Sequence, residues 1–205
     1  MHRRTLALSF LILAALALPV TASQFTQVAF EDVASQSAYI VRGTIGPVTS
    51  AWDDSGETIF SYATVRVSKY FGETAGPDVL QIREVGGTVD GYTQQAVGFP
   101  TLREGQQVVL FLSKWDDSND FRIHAYNQGK FEVRTIRGIE MATPDPVQQG
   151  TEGADKPARN NPFAVGVDVA GDEVAPAGSF RLDELELMIS AAREGHRIFK
   201  PTVRE

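Results

Sequence analysis

Cysteine is absent from the 205 residues, which removes disulfides, thiolate metal sites, cysteine nucleophiles and a lipidated amino terminus in one step. Histidine is scarce: of the three, His2 lies in a leader-like segment, leaving His124 and His196, too little material for a histidine-centred base or a multi-histidine metal site. No His-Glu-x-x-His, Gly-x-Ser-x-Gly, Ser-x-x-Lys, P-loop or dinucleotide fingerprint occurs, so the common hydrolase and nucleotide chemistries have no signature here. Positive charge is also short, 19 Lys and Arg against 26 Asp and Glu, a net charge of -7. A phosphate-tracking surface would have to work against that global field, and nucleic acid is not an expected partner. Long apolar runs are missing except for Leu6 to Val20, which is too short for a comfortable membrane span, so no integral span is expected.

That run belongs to an address. His2-Arg3-Arg4 is a cationic start, Leu6 to Val20 an apolar centre, and Val20 and Ala22 fit the two small-residue pockets before a signal-peptidase cut. Residues 1–22 read as a removable export signal, and the short charged segment with its strongly apolar centre favours the general secretory route over the twin-arginine one. Losing Arg3 and Arg4 with it leaves 17 basic residues against 26 acidic ones. The expected product is periplasmic or secreted, and without disulfides its core must be held by burial alone.

The body of the chain is β-patterned. Thr58 to Tyr70 alternates Ile59, Ser61, Ala63, Val65 and Val67 against Phe60, Tyr62, Thr64, Arg66 and Ser68, a period-two strand signal. Ala38 to Ser50, Asp78 to Val85, Gln106 to Lys114, Phe121 to Tyr126 and Lys130 to Ile136 supply five more candidates bounded by turn residues. Val108 to Leu112 is apolar without alternation and should be buried on both faces. Six strands with no helical pattern between them predict a small antiparallel barrel or sandwich over residues 23–136. A short helix is expected at Phe30 to Gln36. A second is expected over Ser179 to Glu194, with Ser179 as N-cap, Gly195 as stop, and a stripe of Leu182, Leu185, Met188, Ile189 and Ala192 docking on the barrel; residues 179–205 are this helix and a tail.

Between the blocks, residues 137–178 hold five Pro and six Gly in 42 positions and read as a mobile linker, although Phe163 to Val174 alternates well enough to dock as an edge strand. Gly86 to Gly105 has no clear periodicity; Tyr92, Phe99 and Leu102 suggest that it folds back on the barrel, and Gly86-Gly87 reads as backbone geometry, since no helix follows to make a phosphate site.

Three stretches together carry a family likeness: Ser37-Ala38-Tyr39-Ile40-Val41-Arg42-Gly43-Thr44-Ile45, Lys69-Tyr70-Phe71-Gly72, and Glu104-Gly105-Gln106-Gln107-Val108-Val109-Leu110-Phe111-Leu112, with Gly86-Gly87 and Gln128-Gly129-Lys130-Phe131 between and after them. Over residues 30–136 this resembles a family of exported bacterial β-barrel domains of uncharacterised function, and more distantly the netrin-like modules and tissue inhibitors of metalloproteinases. The resemblance implies an OB-type barrel. Those inhibitors engage a catalytic zinc through an N-terminal cysteine, so their mechanism does not carry over. It also makes a co-secreted metalloprotease thinkable as a partner.

One internal echo remains. Trp52-Asp53-Asp54-Ser55-Gly56-Glu57 and Trp115-Asp116-Asp117-Ser118-Asn119-Asp120 share the form W-D-D-S-x-acid, contain both tryptophans, and fall between consecutive strands. They read as two polar hairpin turns whose indoles cover the barrel. In OB strand order they are also the loops after strands 1 and 4, which rim that fold's binding face. Trp52, Asp53, Asp54, Glu57, Trp115, Asp116, Asp117 and Asp120 are therefore the candidate binding residues, and aromatics beside acids suit a sugar, a peptide or a basic surface. No cofactor is expected; calcium is the one candidate, since the acids supply oxygen ligands, but neither window matches the twelve-residue calcium loop. The expected function is a non-catalytic exported module engaging an extracellular or periplasmic protein or glycan, with a regulator of a co-secreted metalloprotease as the alternative and an enzyme of unrecognised type third.

Overall fold

The computed structural model describes residues 28–72, 75–96, 98–145 and 178–195. The export signal, the Phe163 to Val174 stretch and the tail after Gly195 lie outside the described residues.

The chain is mainly β, and its centre is a closed five-stranded barrel. The strands β1 (Tyr39–Trp52), β2 (Ile59–Tyr70) and β3 (Val79–Val85) form a meander, and β6 (Gln107–Lys114) and β7 (Phe121–Ile123) complete the ring. Neighbours run in the order β1, β2, β3, β7, β6 and back to β1, every pair antiparallel except β3 with β7, where Ile82 stands opposite Phe121 in parallel. β1 serves two partners because it bends. Register shifts between Arg42 and Gly43 and between Ile45 and Val48 let Tyr39 to Thr44 pair with β6 while Val41 to Trp52 pairs with β2.

The barrel closes with five strands where six were expected. The sixth, β8 (Lys130–Ile136), pairs with Val108 to Leu110 on the edge of β6 that farther along holds β7, and so extends the sheet sideways. Next to β8 lies β9 (Ile139–Pro144), then β10 (Phe180–Arg181). β9 corrects the linker reading at its start: Arg137 and Gly138 both take positive φ, 52° and 80°, and make a tight hairpin with β8. Likewise Gly86 to Gly105 is not plain loop, since β4 (Gly87–Val89) and β5 (Tyr92–Gln94) form a hairpin over Asp90-Gly91.

Alternation sorts the apolar residues into two cores. Val41, Ile45, Ala63, Val65, Leu80, Ile82, Leu110, Leu112, Phe121 and Ile123 fill the barrel, joined by Leu102 from the long connection. On the other side of β6, Val109, Phe111, Phe131, Val133 and Ala142 receive two helices, α1 (Phe30–Gln36) and α2 (Leu182–Arg193). Val108 to Leu112 is fully buried for this reason: successive side chains enter different cores. The stripe of α2 is as expected, with Leu182, Leu185, Ile189 and Ala192 buried. Its start is not. Ser179 is buried and hydrogen-bonded to Thr143 at 2.9 Å, and the helix begins at Leu182 with the Glu184 carboxylate accepting the Arg181 backbone N–H at 3.3 Å.

Candidate functional site

The first W-D-D-S loop is organised by Asp53. Its Oδ1 accepts the backbone N–H groups of Glu57 and Thr58 at 2.9 and 3.0 Å, and its Oδ2 accepts the Ser55 hydroxyl at 2.8 Å. These bonds, led by the one from Thr58, hold its carboxyl below the usual aspartate range. Asp53 thus fastens the turn, while Asp54 and Glu57 stand exposed beside it. Trp52, at the end of β1, keeps 37% of its surface exposed and meets Tyr92 of β5 edge to face, centroids 6.1 Å apart; Tyr92 is 68% exposed.

Trp115 in the second loop is half-buried and held by Phe60, Arg83 and Arg122. Its indole N–H donates to the Arg83 carbonyl at 2.9 Å, its ring meets the Phe60 ring edge-on at 5.9 Å, and the guanidinium groups of Arg83 and Arg122 lie 4.5 and 5.0 Å from its centroid. Asp117 salt-bridges Arg83 at 2.5 Å, and the backbone N–H of Asp120 donates to the Ser118 hydroxyl at 3.1 Å. Asp116 is exposed.

Both loops reach the same end of β2 and lie on its two faces. Trp52 stands opposite Ile59, so those side chains share a face, whereas Phe60, the support of Trp115, points the other way. Among the described residues no three His, Asp or Glu side chains converge as a metal-ligand set.

The face that carries Trp52 leads to a feature sequence reasoning missed. Ser50, Ser61 and Glu84 are successive cross-strand partners of β1, β2 and β3 and form a polar layer at this end of the barrel. The β4–β5 hairpin lies over them. A Cβ on Gly87 would fall against Ser50 Oγ and 2.7 Å from Ser61 Oγ, so only glycine lets the hairpin come this close. Ser61 donates to the Gly86 carbonyl at 2.7 Å, and the Gln94 side-chain oxygen accepts the Ile59 N–H at 2.5 Å. Beneath is a recess of about 80 Å³, lined by Ser61, Glu84, Gln94, Gln95, Thr101 and the apolar edge of Phe99 to Leu102. Glu84 is 2% exposed, and its Oε1 accepts the Ile123 N–H. Burial pushes its carboxyl up to about 8 against the opposing pull of that bond and of Arg122. The signal was present in the sequence: Leu80, Ile82 and Glu84 keep one period-two register, which carries the acid inward.

Lys130, also fully buried, holds the far side of this connection. Its ammonium donates to the Thr101 carbonyl at 2.5 Å and to Asp145 at 3.1 Å. His124 pairs through Nδ1 with the Ser113 hydroxyl at 2.7 Å, and burial followed by Arg122 lowers its pKa. A larger hollow of about 300 Å³ lies between β9 and α2, where Arg42, Arg181 and Glu186 are bound to Glu140, Asp183 and Lys69.

No family model, curated protein or solved structure matches the chain. The Trp52–Tyr92 pair is open to solvent, and Glu84 is the one carboxylate among the described residues that line the recess.

Proposed function

We propose that this chain is an exported, non-catalytic binding module, an OB-type barrel that engages an extracellular or periplasmic protein or glycan through the end carrying the Trp52 loop and the β4–β5 hairpin. The observation that carries the reading is the Trp52–Tyr92 pair, two large rings in edge-to-face contact and both open to solvent; Val79, Tyr126 and Leu187 are the other exposed large apolar side chains among the described residues. Asp54 and Glu57 beside them suit a sugar hydroxyl or a basic side chain. The OB assignment is supported by the pairing of the first barrel strand with the fourth, β1 with β6, and by the parallel contact of the third with the fifth. In that order the two W-D-D-S loops follow strands 1 and 4, and Trp115 acts as the brace that fixes the second loop.

The test is capture from the culture supernatant and periplasm of the native host with the mature protein as bait. The bound partner should be lost with a Trp52→Ala/Tyr92→Ala variant whose melting temperature stays within a few degrees of the parent. Undiminished capture by that variant would end the proposal. Exported material should begin at Ser23 or Gln24 by intact mass; a mature chain retaining residues 1–22 would remove the export half of the reading.

A further inference from the structure

We infer that the recess under the β4–β5 hairpin is a receptor for a primary ammonium group, such as the tip of a lysine side chain offered by the partner, with the Glu84 carboxylate as its counter-ion. This deepens the binding reading by assigning the partner's anchoring group, and rests on it for the source of that group.

Size comes first. About 80 Å³ accommodates two or three waters or one methylammonium-sized head, and the lining combines polar residues, Ser61, Glu84, Gln94, Gln95 and Thr101, with the apolar Phe99 and Leu102, the mixture a CH₂–NH₃⁺ terminus requires. Charge comes second. Glu84 is the one ionisable residue among the described residues of the lining. A carboxylate has room for about four hydrogen bonds, and the Ile123 N–H is one. The charged groups nearby make their direct contacts elsewhere: the Arg122 guanidinium, which acts on Glu84 only through its field, stacks on Trp115, and the Lys130 ammonium is paired with Asp145. An ammonium would supply both the missing positive charge and three donors.

The approach is the third argument. Trp52 follows Ser50 by two residues on the same face of β1, about 7 Å along the strand from the polar layer. By that register Trp52, with Tyr92 against it, lies just beyond the lining of the recess, and ring faces attract cations and not anions. Lys130 shows that this connection already accepts one buried ammonium, on a main-chain oxygen and a carboxylate. At neutral pH binding is an exchange: the Glu84 carboxylic acid gives its proton to solvent as the ammonium enters, leaving a carboxylate–ammonium pair.

The probe is methylammonium, with tetramethylammonium, which has no N–H donors and is too bulky, as the matched salt. In full-length mature protein carrying ¹³C-carboxyl glutamate, saturating methylammonium should lower the Glu84 titration midpoint by about one pH unit or more. Tetramethylammonium should leave it in place. Calorimetry at pH 7 should give methylammonium heats that differ between phosphate and MOPS buffers, reporting release of about 0.4 proton for a one-unit shift and more for a larger one, and Glu84→Gln should abolish saturable binding. Equal effects of the two cations, or no shift with either, would overturn the inference; because the NMR readout uses the unsubstituted protein, a misfolded Gln variant would not shield it. If the aromatic double variant loses its partner while methylammonium leaves Glu84 unmoved, this inference falls and the binding reading stands. If methylammonium moves Glu84 and no partner is captured, the reverse holds.

Discussion

Replacing Glu84 by Gln should change the pH dependence of stability in a way that few surface substitutions could imitate. In the folded protein burial holds the carboxyl up to about 8, against an ordinary value of 4.5. Between those two values the folded chain keeps the Glu84 proton and the unfolded chain has lost it, so unfolding releases a proton and rising pH favours the unfolded state. Below 4.5 both states are protonated and above 8 both are ionised, so the effect is confined to the interval between. Its slope is about 1.4 kcal/mol per pH unit, and the whole interval amounts to about 5 kcal/mol as an upper bound, since relaxation and water entry soften the burial of the charge. Gln has nearly the same shape, can still accept the Ile123 N–H and does not titrate. Urea unfolding of the two proteins from pH 4.5 to 9 isolates the group, because every other titration is common to both. The variant should gain on the parent steadily from pH 5 to 8, then run parallel to it. Parallel curves across the whole range would show that Glu84 is solvated and ionised in the folded protein, and the argument from burial would fail.

Lys130→Met should cost about 3 to 5 kcal/mol in chemical denaturation by stranding Asp145, and Lys130→Met/Asp145→Asn should recover much of that loss; a double variant as unstable as the single would assign the cost to packing. Trp115→Ala removes an indole hydrogen bond, two guanidinium stacks and the Phe60 contact, and should lower stability by about 2 to 4 kcal/mol. Trp52→Ala, on the more open side of the same barrel end, should cost under about 1.5 kcal/mol, and equal losses for the two would contradict the division into brace and contact surface.

The elements legible in the sequence were those whose burial is one-sided or complete over several residues. Thr58 to Tyr70 announces β2 by alternation, Val108 to Leu112 announces a strand between two cores, and the Leu182 to Ala192 stripe announces α2. The three-residue strands β4 and β5 are too short for periodicity; their one local signal is Asp90-Gly91, the favoured two-residue hairpin turn. β9 was hidden by the Pro-rich composition that follows it, since a window of 42 residues averages a paired strand into its neighbours. Ser179 looked like a cap because it is a serine before an apolar stripe, but a partner across the fold, Thr143, claims its hydroxyl. At the site, the tryptophans were visible by type, whereas which one is open depends on Tyr92 and Arg83, residues distant in sequence from Trp52 and Trp115 respectively.

The double service of β1 also governs the order in which the molecule can be made. Tyr39 to Thr44 waits for Gln107 to Leu112, 63 to 73 positions later, before its second edge is satisfied. A chain in which β1, β2 and β3 have paired before β6 docks would leave the second edge of β1 bare and open to hydrogen bonds from a neighbouring copy. Closure is therefore a late, long-range event, slow by the standards of local hairpins, and a chain truncated before Gln107 would keep its most adhesive edge for good.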